Sequence, residues 1–179
     1  VEDMQDFLIV YDSKTGNTEK VARALAEAAG ERACLNKADN EVAWDAFDVI
    51  FVGYWVDKGE PNEKIKHLLQ NIHAKKIVFF ETLGAAPDSE HAQTCFANAG
   101  KYLSSDNTIL GTLAIRGAID PALIAMMRKM PAGSPHAPSK ESEARWAAAA
   151  SHPDNEDLAK TRAYMKRFIN MYDKFYKHI

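Results

Sequence analysis

Six consecutive residues carry the densest chemistry in the sequence: Ser13, Lys14, Thr15, Gly16, Asn17 and Thr18. Three hydroxyls, an amide and an ammonium stand beside a glycine that lets the backbone approach a ligand closely, and such a set suits an anion. Upstream lies Phe7-Leu8-Ile9-Val10-Tyr11, an apolar run of strand length; downstream Val21, Ala22, Leu25, Ala26 and Ala29 recur at helical spacing, with Gly30 as a stop. A hydroxyl-rich turn between strand and helix sets the anion at a helix N-terminus, where backbone N–H groups lack partners and the macrodipole favours negative charge. Neutral donors suffice for a phosphate monoester, whereas a triphosphate usually calls for a lysine and a metal. The sequence contains neither Gly-x-x-x-x-Gly-Lys-Ser/Thr nor Gly-x-Gly-x-x-Gly. The alternative is an ordinary capped turn, which does not explain a donor or backbone role at five of the six positions.

At these residues the sequence resembles the flavodoxin family, whose phosphate loop reads Ser/Thr-x-Thr-Gly-Asn-Thr; positions 13 to 18 match it fully. The likeness covers residues 6 to 118 well and the last helical segment loosely, and its other stretches are less specific than the loop. It implies a three-layer α/β/α fold around a five-stranded parallel sheet in the order 2-1-3-4-5. FMN would lie at the carboxyl ends of strands 1, 3 and 4, a switch-point placement for which flavodoxin is itself an example. By the same resemblance Tyr54, Trp55, Val56, Asp57 and Gly59 belong to a loop flanking one face of the flavin ring. Trp55 is the stacking aromatic there, its structural alternative being a residue at a strand end. Gly59 gives that loop a pivot, since in the family a loop peptide turns to hydrogen-bond flavin N5 when that atom is protonated.

Backbone N–H groups of Thr82, Leu83 and Gly84 would bond the pyrimidine end of the ring. Here the sequence departs from the family: the segment from Glu81 to Asp88 offers small residues where many members place a stacking tyrosine. An uncapped outer flavin face means an open electron exit, or room for a nicotinamide or quinone. Glu81 and Asp88 read at least as well as solvated loop residues as they do as catalytic ones. Across the three loops (12 to 18, 54 to 63 and 81 to 91) seven acids, Asp12, Asp57, Glu60, Glu63, Glu81, Asp88 and Glu90, face two bases, Lys14 and Lys58. An acidic rim would select a redox partner with a basic docking surface. The resemblance therefore implies an electron carrier with non-covalent FMN. An FMN-dependent NAD(P)H oxidoreductase acting on a quinone or other small acceptor is the second reading, and a phosphate-binding scaffold without flavin the third.

The elements that must position this loop alternate along the chain. A short strand is expected at 32–35, stronger ones at Val49–Tyr54, Lys76–Glu81 and Thr108–Ile115, and helices about Ile65–Ile72 and His91–Leu103. Strands apolar on both faces, separated by helical patterns, argue for a parallel sheet covered on both sides. Beyond Gly117 the alternation stops. Asp120-Pro121 opens a helix to about Met130, a breaker-rich loop follows, Ser139 to Ala150 form a second helix, and a long helix runs from Asn155 to Tyr176. Residues 120 to 153 are thus read as a helical insertion within one domain spanning 1 to 179. Met126, Met127 and Met130 are expected to pack on the sheet, an exposed contact surface being the alternative, and Met165, Phe168, Ile169, Tyr172, Phe175 and Tyr176 to form the buried stripe of the last helix.

Whole-chain composition mainly excludes. With 22 basic and 25 acidic residues the net charge is −3, which gives no basic face for nucleic acid or an anionic membrane. No apolar run approaches the roughly 20 residues of a membrane span, and the acidic start Val1-Glu2-Asp3-Met4-Gln5-Asp6 is unlike a signal peptide. Cys34 and Cys95 are far apart and read as small buried residues, consistent with a reducing cytoplasm. His67, His73, His91, His136, His152 and His178 show no ligand spacing, so no metal is assigned.

Overall fold

The computed structural model describes residues 5–39 and 41–177; the acidic residues Glu2 and Asp3 and the terminal His178 lie outside them. Five parallel strands form the sheet: β1 (Phe7–Tyr11), β2 (Ala33–Lys37), β3 (Val49–Asp57), β5 (Lys76–Leu83) and β6 (Thr108–Arg116). A two-residue strand, β4 (Glu60–Pro61), pairs antiparallel with the end of β3. The path β2-β1-β3-β5-β6 is the expected order 2-1-3-4-5, with the label shift caused by β4. Helices α1 (Asn17–Ala29) and α6 (Asn155–Phe175) pack together on one side. On the other lie α2 (Glu63–Leu69) and α3 (Glu90–Gly100), while α4 (Pro121–Arg128) and α5 (Lys140–Ala149) occupy the segment read above as a helical insertion.

The strands are continuous apolar runs because both faces are covered. Phe7, Ile9, Phe51, Val78 and Phe80 face α1 and α6, with Val21, Leu25, Met165 and Phe168 in the same cluster. Leu8, Val10, Val52, Ile77 and Phe79 face the other way, against Ile65, Leu69, Phe96 and Ala99. This is the period-2 alternation of a pleated strand, made legible twice over by apolar residues on each side. Phe7, Phe51 and Phe168 form one edge-to-face and stacked group, with centroids 4.9 to 5.9 Å apart. Arg32, ahead of β2, donates two bonds to Asp173 at 2.7 and 2.9 Å and a third to Asp6, fixing the end of α6 against the sheet.

Four expectations need correcting. Strands β3 and β5 run two to three residues further than their apolar cores suggest, because Trp55, Thr82 and Leu83 continue the β3–β5 ladder or its extension to β6. No residue of α4 is buried, and Met126 is 54% exposed, so the methionines there do not pack on the sheet. Phe175 is likewise 57% exposed, on a side of α6 away from the core that Tyr172 and Tyr176 still contact. Cys95 is buried as expected, but Cys34 is only half-buried. Among the described residues no helix is long and apolar enough to cross a membrane.

Candidate functional site

At the carboxyl ends of the strands the chain encloses a cavity of about 900 Å³. Its floor is built where α1 leaves β1. Gly16 adopts φ +97, a left-handed conformation that favours glycine, and receives the N-cap position of α1 without any side-chain cap. The first turn of the helix therefore keeps its backbone donors for something other than its own side chains. Ser13 Oγ accepts from Gly16 N at 3.1 Å, which folds the turn back on itself. Ser13, Lys14, Thr15, Asn17 and Thr18 all line the cavity.

Two of those donors already have work. Thr18 is buried, and its hydroxyl bonds that of Thr82 at 2.8 Å, locking α1 to β5. Asn17 Nδ2 donates to Ala118 O at 2.9 Å, locking the turn to the start of the insertion. Ser13, Thr15 and the first-turn backbone remain as candidate donors for an anion. Lys14 Nζ lies 3.2 Å from Asp120 Oδ2 and 5.7 Å from the Trp55 ring centroid, so it spans the space between the turn and the aromatic wall. Its partner Asp120 also accepts from Ala122 N, and both contacts hold that carboxyl below the usual range.

The second wall is the β3–β4 hairpin. Lys58 and Gly59 both have positive φ (+52 and +79), the signature of a tight two-residue hairpin turn. Asn98 Nδ2 on α3 donates to Gly59 O at 2.9 Å and anchors the turn. Trp55, Val56, Asp57, Lys58 and Gly59 line the cavity, and Trp55 Nε1 is buried with no hydrogen-bond partner among the described residues. Tyr54 does not belong with them: it is wholly buried, and its hydroxyl donates to Glu81 Oε2 at 2.9 Å. One residue of strand alternation separates Tyr54 from Trp55 and sends it into the core.

Glu81 is the matching correction on β5. It is fully buried rather than solvated, and its Oε1 has no partner among the described residues. Burial pushes its carboxyl up to about 8, with the Tyr54 hydrogen bond pulling weakly the other way. Nearby Cys95 is pushed up to about 11 by the same burial and by Glu81, and His91, at the cavity, lies 3.7 Å from its sulfur. Glu81 thus leaves the acidic rim. Glu60 leaves it too, paired with Lys66 at 2.6 Å, and Asp12 accepts from Asn62. The charged residues that line the cavity are Lys14, Lys58, Arg116 and Arg145 against Asp57 and Asp120, a balance opposite to the one the loops suggested.

Thr82, Leu83 and Gly84 line the third wall, as expected, followed by Ala85 and Ala86. A fourth wall is built by residues that the sequence did not single out. Arg116, Ile119, Leu123, Met127, Arg145 and Trp146 also line the cavity, so the insertion stands where the small residues of the β5 loop had left an opening. Arg128 and Glu143 bridge α4 to α5 with two bonds at 3.0 and 2.7 Å. The Asp120-Pro121 cap showed that a helix starts directly after β6, but nothing in the spacing showed which way it turns. A separate cluster, His152, Asp154 and Asp157, lies within 4.8 Å; its carboxylates form the capping box of α6, each accepting the other's backbone N–H, which accounts for it.

The geometry suits a phosphate-sized anion at the α1 turn and a flat ring against Trp55. In comparison with known proteins, the chain matches the flavodoxin domain over residues 8–166. The chain belongs to the flavodoxin domain family. A relative of this flavodoxin domain, the flavodoxin-like domain-containing protein BilS of Clostridioides difficile (strain CD3), is 29% identical over 167 residues, covering 90% of this chain and 95% of that protein. The flavodoxin, WrbA-like protein from Agrobacterium tumefaciens shares the fold at TM-score 0.57 and 19% identity, over 95% of this chain and 98% of that one. A Lactobacillus acidophilus flavoprotein solved in complex with FMN is similar at TM-score 0.51 and 16% identity, over 62% of this chain and 93% of its own.

Proposed function

We propose that this flavodoxin domain binds FMN non-covalently and passes electrons between redox partners. The observation that carries the reading is the meeting, in one cavity, of the uncapped α1 turn and Trp55. The residues fit the group: Ser13, Thr15 and the first-turn N–H groups suit a phosphate monoester, and the Trp55 face suits a flat ring. Trp55 Nε1 is a buried donor without a partner among the described residues, for which a bound polar group would be the natural partner. A cavity of about 900 Å³ holds such a ligand. When bound, FMN supplies the one- and two-electron chemistry; the chain supplies anchoring, stacking and exclusion of water. The free thiols Cys34 and Cys95 are in keeping with a reducing, cytoplasmic setting.

Titrating the purified chain with FMN and following flavin fluorescence tests this directly. Binding should appear as quenching, and T15A should weaken it by about tenfold, the cost of one charge-assisted hydrogen bond. Absence of FMN uptake, or an unchanged affinity in T15A, would overturn the assignment. A second reading, an FMN-dependent NAD(P)H oxidoreductase with a small acceptor, is favoured by one feature: the α4–α5 wall extends the cavity beyond the turn and hairpin. Anaerobic mixing with NADH or NADPH separates the two, since rapid direct bleaching supports the enzyme and dependence on an added reductase supports the carrier.

A further inference from the structure

The α4–α5 side of the cavity has a chemistry of its own. Ile119, Leu123, Met127 and Trp146 give it an apolar wall, and Leu123 remains 40% exposed without a covering element. Two guanidinium groups stand beside that wall. Arg116 donates through Nε to Gly84 O at 3.1 Å, which fixes the fork while its terminal nitrogens have no partner among the described residues. Arg145 forms no ion pair there at all among the described residues, unlike Arg128, which Glu143 neutralises. The acids that line the same cavity do not cancel the arginines: Asp120 is occupied by Lys14 and Ala122 N, and Asp57 lies in the hairpin wall. Nor do the arginines belong to the anion-binding turn, which has its own donors in Ser13, Thr15 and the backbone.

We propose that this wall is a binding subsite for a flat, apolar organic acid, whose ring lies on Leu123, Met127 and Trp146 and whose carboxylate meets Arg145 and Arg116. The subsite rests on the FMN reading only in its position, beside the flavin. Planar guanidinium forks pair bidentately with carboxylates, and the apolar wall supplies the ring's burial. The Arg128–Glu143 bridge and the Asn17–Ala118 bond hold the wall in place before the ligand arrives, which limits the ordering cost of binding. The cavity volume of about 900 Å³ lies toward the upper end for small-ligand sites and leaves space beside one cofactor.

The probe is 2-naphthoate, titrated calorimetrically into the FMN-loaded chain beside its neutral analogue 2-naphthalenemethanol, with the flavin visible band as a second readout. The acid should bind at one per chain, shift the flavin band, and exceed the alcohol in affinity by about tenfold or more. R145Q should remove that preference, and L123D, which sets a carboxylate on the apolar wall at an exposed position, should weaken the acid by about tenfold or more. FMN affinity should stay within about twofold in both variants. Equal binding of acid and alcohol, displacement of FMN by naphthoate, or loss of FMN affinity in R145Q comparable to that in T15A would overturn the subsite. So would NADPH competing with naphthoate and bleaching the flavin, because a nicotinamide nucleotide would then be the occupant. The same titration on chain without FMN keeps the two readings apart: arginine-dependent naphthoate binding in a chain that takes no FMN would sink the flavin assignment and leave the subsite standing.

Discussion

Glu81 shows how one side chain behaves differently from its composition class. A carboxyl with no exposure and one hydroxyl partner is held neutral at pH 7, because burial raises it to about 8. The sign for stability follows. Below the ordinary value of 4.5 the folded and unfolded chains both carry the proton, and the full stability is present. As pH rises from 4.5 toward 8 the unfolded chain releases the proton and the folded chain keeps it, so stability falls; above 8 the loss levels off. At pH 7 the cost is about 3 kcal/mol. E81Q, isosteric with the neutral acid, should match the wild type in urea melts at pH 4 and exceed it increasingly from pH 5 toward pH 8. Parallel pH profiles for the two proteins would show that Glu81 is not held neutral. The same neutrality removes a charge that sequence counting had placed on the flavin rim.

Among the elements, the β3–β4 hairpin and the insertion do the positioning. The hairpin turns through Lys58 and Gly59 at positive φ and is pinned by Asn98 to α3. G59A should cost about 1–2 kcal/mol in a urea melt, since a Cβ at φ +79 is strained even though only Asn98 Nδ2 comes near it. An unchanged midpoint would mean that the turn relaxes freely. The insertion is held differently. Helix α4 buries no residue, so its place over the cavity depends on its cap at Asp120, on the Asn17–Ala118 bond and on the Arg128–Glu143 bridge. R128A should therefore speed amide hydrogen exchange in α4 several-fold while the strands β1, β3 and β5 keep their protection, a local opening rather than a global one. Equal acceleration in the strands would show that the bridge supports the whole fold.

For the whole molecule, the net charge of −3 and the local charge of the cavity point in different directions. Counting acids on three loops suggested a negative rim and hence a basic partner surface. In the folded chain Glu81 is internal, Glu60 is paired with Lys66, and two arginines arrive from β6 and α5. The cavity mouth presents Lys14, Lys58, Arg116 and Arg145 with Asp57 and Asp120, so its charge is not the acidic one that the loop count implied. The outer face that small residues seemed to leave open is narrowed by α4 and α5.

The sequence by itself determined the five parallel strands, the order of the elements and the hydroxyl-rich turn between β1 and α1. Each of these is written in local pattern: β1 is apolar throughout because both its faces are buried, and residues 13 to 18 combine a strand exit, a glycine at positive φ and a helix start. Strand ends were less legible, because Trp55, Thr82 and Leu83 extend the sheet by pairing rather than by their own pattern. Only the tertiary structure decided where Tyr54, Glu81 and the insertion lie. Alternation along β3 separates a core tyrosine from a cavity tryptophan one position away, and register with β5 brings Tyr54 and Glu81 together across 27 residues of sequence. The side on which α4 and α5 settle is fixed by contacts between distant residues, Asn17 with Ala118 and Arg128 with Glu143, which no local spacing encodes.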